Sequence, residues 1–131
     1  MSPLGWFSRK KRILIADDEE SLRLLIRDAL TDHGYEVTGV ANGSQLMDRV
    51  HDAAPDLVIL DVMMPEMDGW STLELLKRDE KTRDIPVLML TSLQRGVDVE
   101  LAFSRGAKDY LPKPFSLALL IKKVKKLVPV A

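Results

Sequence analysis

The feature that most constrains this chain is a set of short aliphatic runs, each ending on a residue that carries chemistry. Leu57-Val58-Ile59-Leu60 stops on Asp61 and is followed by the turn-prone Met64-Pro65-Glu66-Met67-Asp68-Gly69. Ile13-Leu14-Ile15-Ala16 stops on Asp17-Asp18, and Pro86-Val87-Leu88-Met89-Leu90 stops on Thr91. Runs of that length, apolar at every position and bounded by turn signals, predict strands buried on both faces, as in a parallel sheet. Proline is tolerated at the first residue of such a strand.

The segments between these runs read as helices. Leu22, Leu25, Ile26, Ala29 and Leu30 recur at helical spacing, and His33-Gly34 closes that helix. Residues 35–40 are a weaker strand candidate, interrupted by Gly39. Asn42 is a helix N-cap ahead of Leu46, Met47 and Val50; Trp70, Leu73 and Leu76 mark a third helix. Residues 79–84 form a charged loop, and a less regular helix spans about residues 96–105, stopped by Gly106. Asp109-Tyr110-Leu111 is a short fifth strand. A last helix carries Leu117, Leu120, Ile121, Val124 and Leu127 on one side, with Lys122, Lys123, Lys125 and Lys126 opposite as a solvated face. Five alternations of strand and helix predict an α/β fold: a parallel sheet with right-handed crossovers and helices on both faces.

With 131 residues the chain is one domain with room for a core. A net charge of -1 gives no overall electrostatic case for nucleic acid. The absence of cysteine excludes a disulfide framework, a thiolate metal site and a catalytic thiol. No apolar stretch approaches the roughly 20 residues that span a bilayer. The N-terminal charges follow its apolar residues, the reverse of a secretory signal, so the expected location is the cytoplasm. Residues 1–11 read as a flexible lead-in, 12–128 as the domain and 129–131 as a tail. Trp6-Phe7 beside Arg9-Lys10-Lys11-Arg12 admits a second reading, contact with a membrane surface or a partner.

In a parallel sheet all strand C-termini share one edge, which brings together Asp17-Asp18, Asp61, Thr91 and, within three residues of the fifth strand, Lys113. Taken singly, each has an ordinary structural reading as a cap, a strand former or a surface residue; their shared placement argues for a site. Clustered carboxylates repel one another unless neutralised. Hard oxygen ligands without histidine or cysteine suit Mg²⁺. Lysine and threonine add donors for phosphoryl oxygens, and the implied chemistry is phosphoryl transfer onto a carboxylate.

From residue 12 to residue 128 the chain resembles the receiver domains of two-component response regulators. The resemblance rests on Ile13-Leu14-Ile15-Ala16-Asp17-Asp18, Leu60-Asp61-Val62-Met63-Met64-Pro65-Glu66-Met67-Asp68-Gly69, Leu90-Thr91-Ser92 and Gly106-Ala107-Lys108-Asp109-Tyr110-Leu111-Pro112-Lys113-Pro114-Phe115. It implies a flavodoxin-like fold with strand order 2-1-3-4-5, and a cis Lys113-Pro114 bond. It implies that Asp61 accepts a phosphoryl group from a histidine kinase or a phosphotransfer protein. Asp18 would be a direct Mg²⁺ ligand, Asp17 one acting through water, and Met63 a ligand through its backbone carbonyl. Thr91 and Lys113 would engage the phosphoryl group and Tyr110 would turn inward as Thr91 moves, changing the surface of the fourth helix, fifth strand and fifth helix. Leu93 occupies a position that varies in the family and influences phosphate lifetime.

The expected protein is a stand-alone signalling switch that catalyses its own modification rather than turning over a substrate. It would act on an unknown downstream protein, without direct DNA binding, and with membrane contact of the N-terminal segment and phosphorylation-dependent dimerisation left open. The alternative is a pseudo-receiver, a constitutive binding module; such proteins lose an acidic residue, the acceptor or the lysine, and all are present here. An aspartyl phosphatase would want a second carboxylate where Met63 stands. A flavin carrier would want a Ser/Thr/Gly-rich loop where residues 17–20 are all acidic. His33 and His51 read as polar caps at helix ends.

Overall fold

The structure, a computed structural model, describes residues 9–64, 67–92 and 96–130. The readings made on Trp6-Phe7, on Pro65-Glu66 and on Leu93 lie outside the described residues.

The chain alternates strictly: β1 (Arg12–Ala16), α1 (Glu20–Asp32), β2 (Glu36–Val40), α2 (Gly43–Ala53), β3 (Leu57–Asp61), α3 (Gly69–Arg78), β4 (Val87–Thr91), α4 (Gly96–Ser104), β5 (Asp109–Pro112) and α5 (Leu117–Leu127). The five strands form one sheet in the order β2-β1-β3-β4-β5, with every pairing parallel. That is the fold and strand order implied by the resemblance. β3 and β4 are buried at every position because each has a neighbour on both sides and helices on both faces.

Alternation of side chains along each strand divides the core in two. Leu14, Val58, Leu60, Val87 and Met89 pack against Leu46 and Val50 of α2, Leu73 and Leu76 of α3 and Ala102 of α4. Ile13, Ile15, Leu57, Ile59, Leu88 and Leu90 pack against Ile26 and Leu30 of α1 and Leu120 and Val124 of α5. Helices therefore cover both faces.

The helix ends follow local chemistry. Asn42 accepts a hydrogen bond from the Gln45 N–H, Asp68 from Ser71 and Ser116 from Leu119, each satisfying an amide that the first turn leaves unpaired. Gly34 and Gly106 adopt left-handed conformations after α1 and α4, as expected of a glycine that ends a helix. Leu25, counted above on the apolar face of α1, is instead 51% exposed, and Leu22, Ile26, Ala29 and Leu30 carry that face. Tyr35, read as the first residue of a strand, precedes β2; it is fully buried and its hydroxyl donates to the Val128 carbonyl at 2.6 Å. The loop at residues 79–84 is less polar than its charges imply, because Thr82 is buried with its hydroxyl on the Leu76 carbonyl.

Candidate functional site

β1 and β3 are adjacent, with Ala16 level with Leu60, so Asp17 and Asp61 leave the same edge side by side. Asp18 follows on the rim and is exposed, whereas Asp17 is fully buried and Asp61 is 3% exposed. One carboxylate oxygen from each of the three residues lies within 4.8 Å of the others. Burying two carboxylates beside a third requires compensation. It comes from Lys113, whose Nζ lies 3.0 Å from Asp61 Oδ2 and 3.4 Å from Asp17 Oδ2.

Lys113 is delivered from the far side of the sheet. β4 and β5 pair with Thr91 opposite Pro112, and the Lys113 N–H donates to the Thr91 carbonyl at 2.6 Å. The Lys113-Pro114 bond is cis. Thr91 itself is buried at the end of β4. Asp17, Asp18, Asp61, Thr91 and Lys113 are thus collected on one edge, as the strand-end placement predicts.

Backbone contacts hold the acidic side chains in place. Asp61 Oδ1 accepts from the Met63 N–H at 3.3 Å, while the Met63 side chain points into solvent at 66% exposure. Asp17 is restrained at four atoms. Its N–H donates to the Val40 carbonyl at 3.2 Å, and its Oδ1 accepts from the Glu19 N–H at 2.9 Å. Its carbonyl accepts from Arg23 Nη1 at 2.8 Å, and its Oδ2 faces Lys113. Gly69, first residue of α3, donates to the Val62 carbonyl at 2.8 Å and lies so close to β3 that a Cβ there would sit 2.3 Å from the Asp61 carbonyl oxygen. No other residue type fits at that approach.

The electrostatics follow. Burial raises the Asp61 carboxyl above its ordinary range, the Asp17 charge adds to the rise, and Lys113 and the Met63 N–H partly offset it. Burial works against the Lys113 ammonium, yet the hydrogen bond to Asp61 and the charges of Asp17 and Asp61 outweigh it, so its proton is held more tightly than usual. Three carboxylates against one ammonium leave the ionised site with two uncompensated negative charges. Such a set of hard oxygens, with no nitrogen or sulfur donor among them, fits a small divalent cation.

Tyr110 is not among these residues. It is half-buried on β5, its ring edge-on to Phe103 of α4 at 5.8 Å, with Lys123 Nζ 5.7 Å from the ring centre. Between Thr91 and Tyr110 lies a slot of about 10 Å³ lined also by Val62, Trp70, Met89 and Ala102, room for about one water. His51 lies in the last turn of α2, the helix end read from the sequence, and its Nε2 lies 2.9 Å from Asp79 Oδ2, tying α2 to the loop after α3. The sequence reading missed Arg23 and the Glu19 N–H and named Gly69 only as part of a turn and a motif, because their contacts with the acidic residues depend on how the backbone turns after each strand.

Residues 13–125 match the response regulator receiver domain family. Among curated relatives, the DNA-binding dual master transcriptional regulator RpaA of Synechocystis sp. is 40% identical over 117 residues, covering 89% of this chain and 48% of its own length. Response regulator RR06 of Streptococcus pneumoniae is 39% identical, covering 88% of this chain and 52% of its own length. Among solved structures, chemotaxis protein CheY4 of Vibrio cholerae superposes with a TM-score of 0.86 at 29% identity, covering 92% of this chain and all of that one. The receiver domain of a signal transduction histidine kinase from Syntrophus aciditrophicus gives 0.82 at 36% identity, covering 90% of this chain and 89% of that one.

The chain spans about half the length of the curated relatives it matches. This corrects the expectation of no direct DNA binding. Relatives such as RpaA and MtrA of Mycolicibacterium smegmatis are described as DNA-binding, and the near-neutral charge of the matched residues is no argument against it. Fold, strand order and sequence agree that this chain belongs to the receiver domain family of two-component response regulators.

Proposed function

We propose that Asp61 of this receiver takes a phosphoryl group from the phosphohistidine of a histidine kinase or phosphotransfer protein. The observation that carries the reading is the junction of Asp17, Asp18 and Asp61 with Lys113 at one sheet edge, where a buried carboxylate already faces a cation. An Asp61 carboxylate oxygen forms the new bond to phosphorus as the phosphorus–nitrogen bond to the donor imidazole breaks. The product is an acyl phosphate, a mixed anhydride that water cleaves, so the mark is temporary.

Asp17, Asp18, Asp61 and the Met63 carbonyl would hold Mg²⁺, Asp17 through water. When bound, the ion supplies charge neutralisation for the phosphoryl oxygens. The chain's own part is positioning: Lys113 pairs with the added oxygens, and burial of Asp61 keeps bulk water from competing for them. Thr91 then moves toward the phosphoryl group, and Tyr110 follows by turning toward the slot beside it. That motion alters the face made by α4, β5 and α5.

The DNA-binding relatives support transcription control as the output when such a domain is part of a longer regulator, and the kinase partner supports a cytoplasmic location. Among the described residues no helix is long and apolar enough to cross a membrane. Labelling with radioactive acetyl phosphate tests the assignment. It should require Mg²⁺ and vanish in Asp61→Asn; label persisting in that variant would remove Asp61 as the nucleophile.

A further inference from the structure

β2 contains a glycine where a strand gains from a branched side chain, and nothing in the phosphoryl chemistry above uses it. The structure shows what occupies the space. The stem of Arg23 lies across Gly39: a Cβ on Gly39 would stand 3.1 Å from Arg23 Cδ and 3.2 Å from Cγ. From there the guanidinium reaches the Asp17 carbonyl at 2.8 Å. The donor is a cation bonded to a member of the three-carboxylate cluster, yet its bond is to a backbone carbonyl, and among the described residues Arg23 enters no ion pair.

That carbonyl is a consequential point to hold. A peptide unit is planar, so fixing the Asp17 C=O also fixes the plane that leads to the Asp18 Cα and hence the direction in which Asp18 departs. Asp17 is tied by Val40, Glu19 and Lys113 as well, whereas the exposed Asp18 carboxylate has no hydrogen-bond partner among the described residues. We infer that Arg23, seated on Gly39, is a positioning residue for the divalent-cation site: through the Asp17–Asp18 peptide it sets the aim of Asp18. This rests on the proposed Mg²⁺ site.

A guanidinium near a cation site acts in two opposed ways. As a charge it repels Mg²⁺, so removing it would tighten binding. As a clamp it preorganises a ligand, so removing it would weaken binding. Residues that orient metal ligands typically change affinity 10- to 100-fold when lost, and a half-exposed charge in water is screened, so the clamp should prevail.

The test is calorimetric titration of the full chain with Mg²⁺, without any phosphodonor. Arg23→Ala should weaken Mg²⁺ binding about tenfold, and Arg23→Lys, which keeps the charge and one donor, should restore part of it. Gly39→Val should raise or preserve the thermal midpoint, since valine suits an edge strand, while still weakening Mg²⁺ binding by displacing the Arg23 stem. In the Arg23→Ala background Gly39→Val should then have no further effect on affinity. Unchanged or tighter binding in Arg23→Ala, or additive effects of the two substitutions, would overturn the inference while leaving the metal site standing. Failure of the wild-type chain to bind Mg²⁺, or binding undiminished in Asp18→Asn, would overturn the site and this inference with it.

Discussion

The two faces of the sheet are built differently. On the side of α1 and α5 the core is made of large aliphatic side chains, Ile13, Ile15, Ile26, Leu30, Ile59 and Leu120 among them, and the Tyr35 hydroxyl locks the end of α5 through Val128. On the side of α2, α3 and α4 the core includes Ala16, Ala102 and Ala107 with two methionines, Met64 and Met89, and it retains the slot beside Thr91. Small residues and pliable methionines leave room for rearrangement, and interlocked aliphatics do not. The acidic cluster lies on the edge between a face of large aliphatics and a face that carries the slot.

Substitutions can break this contrast. Leu120→Ala on the tight face should lower the unfolding free energy by about 2–5 kcal/mol, read as a shift of the urea midpoint at constant slope. Ala102→Val on the looser face should cost less, about 1–3 kcal/mol. It should also abolish the change in Trp70 and Tyr110 signals on phosphorylation, because the slot they share is filled. A response that survives filling would mean that the freedom lies elsewhere. Tyr35→Phe should cost about 1–2 kcal/mol by leaving the buried Val128 carbonyl unpaired, with the phosphorylation response intact.

The edge between the faces should show a change of opposite sign. The Asp61 carboxyl lies above its ordinary range, so the folded state keeps its proton where the unfolded chain, with a value of about 3.9, has already lost it. Stability therefore declines as pH rises from the unfolded value through the folded one. In chelator, Asp61→Asn should raise the thermal midpoint at pH 7, and the gain should close below about pH 4; a constant gain would point to packing rather than charge. The smallest effect is expected for His51→Ala, whose solvent-screened pair with Asp79 should leave the thermal midpoint nearly unchanged.

Much of this was legible because parallel strands advertise themselves. Ile13 to Ala16, Leu57 to Leu60 and Val87 to Leu90 are apolar at every position, and the residues that end them meet on one edge by topology alone. The less legible parts have physical reasons. β2 looked weak because of Gly39, whose missing side chain is filled by an arginine 16 positions earlier. Leu25 fits a helical repeat yet falls just outside the stripe that the sheet covers. The close approach of Gly69 to Asp61 turns on backbone placement, which residue types do not encode. The curated relatives are about twice as long as the stretch they share with this chain.

The bond between Tyr35 and Val128 joins positions 93 residues apart. During synthesis, α1 can pack on β1 and β3 as they emerge, but the cluster that holds Ile26, Leu30 and Tyr35 stays incomplete until Leu120, Val124 and Val128 follow. The face of α1 and α5 must therefore close last, and a nascent or truncated chain lacking α5 exposes an aliphatic surface on a sheet that is otherwise ready to form. Such a chain should be a chaperone client and prone to aggregate, so that the completeness of the domain is itself checked at the step that seals this face.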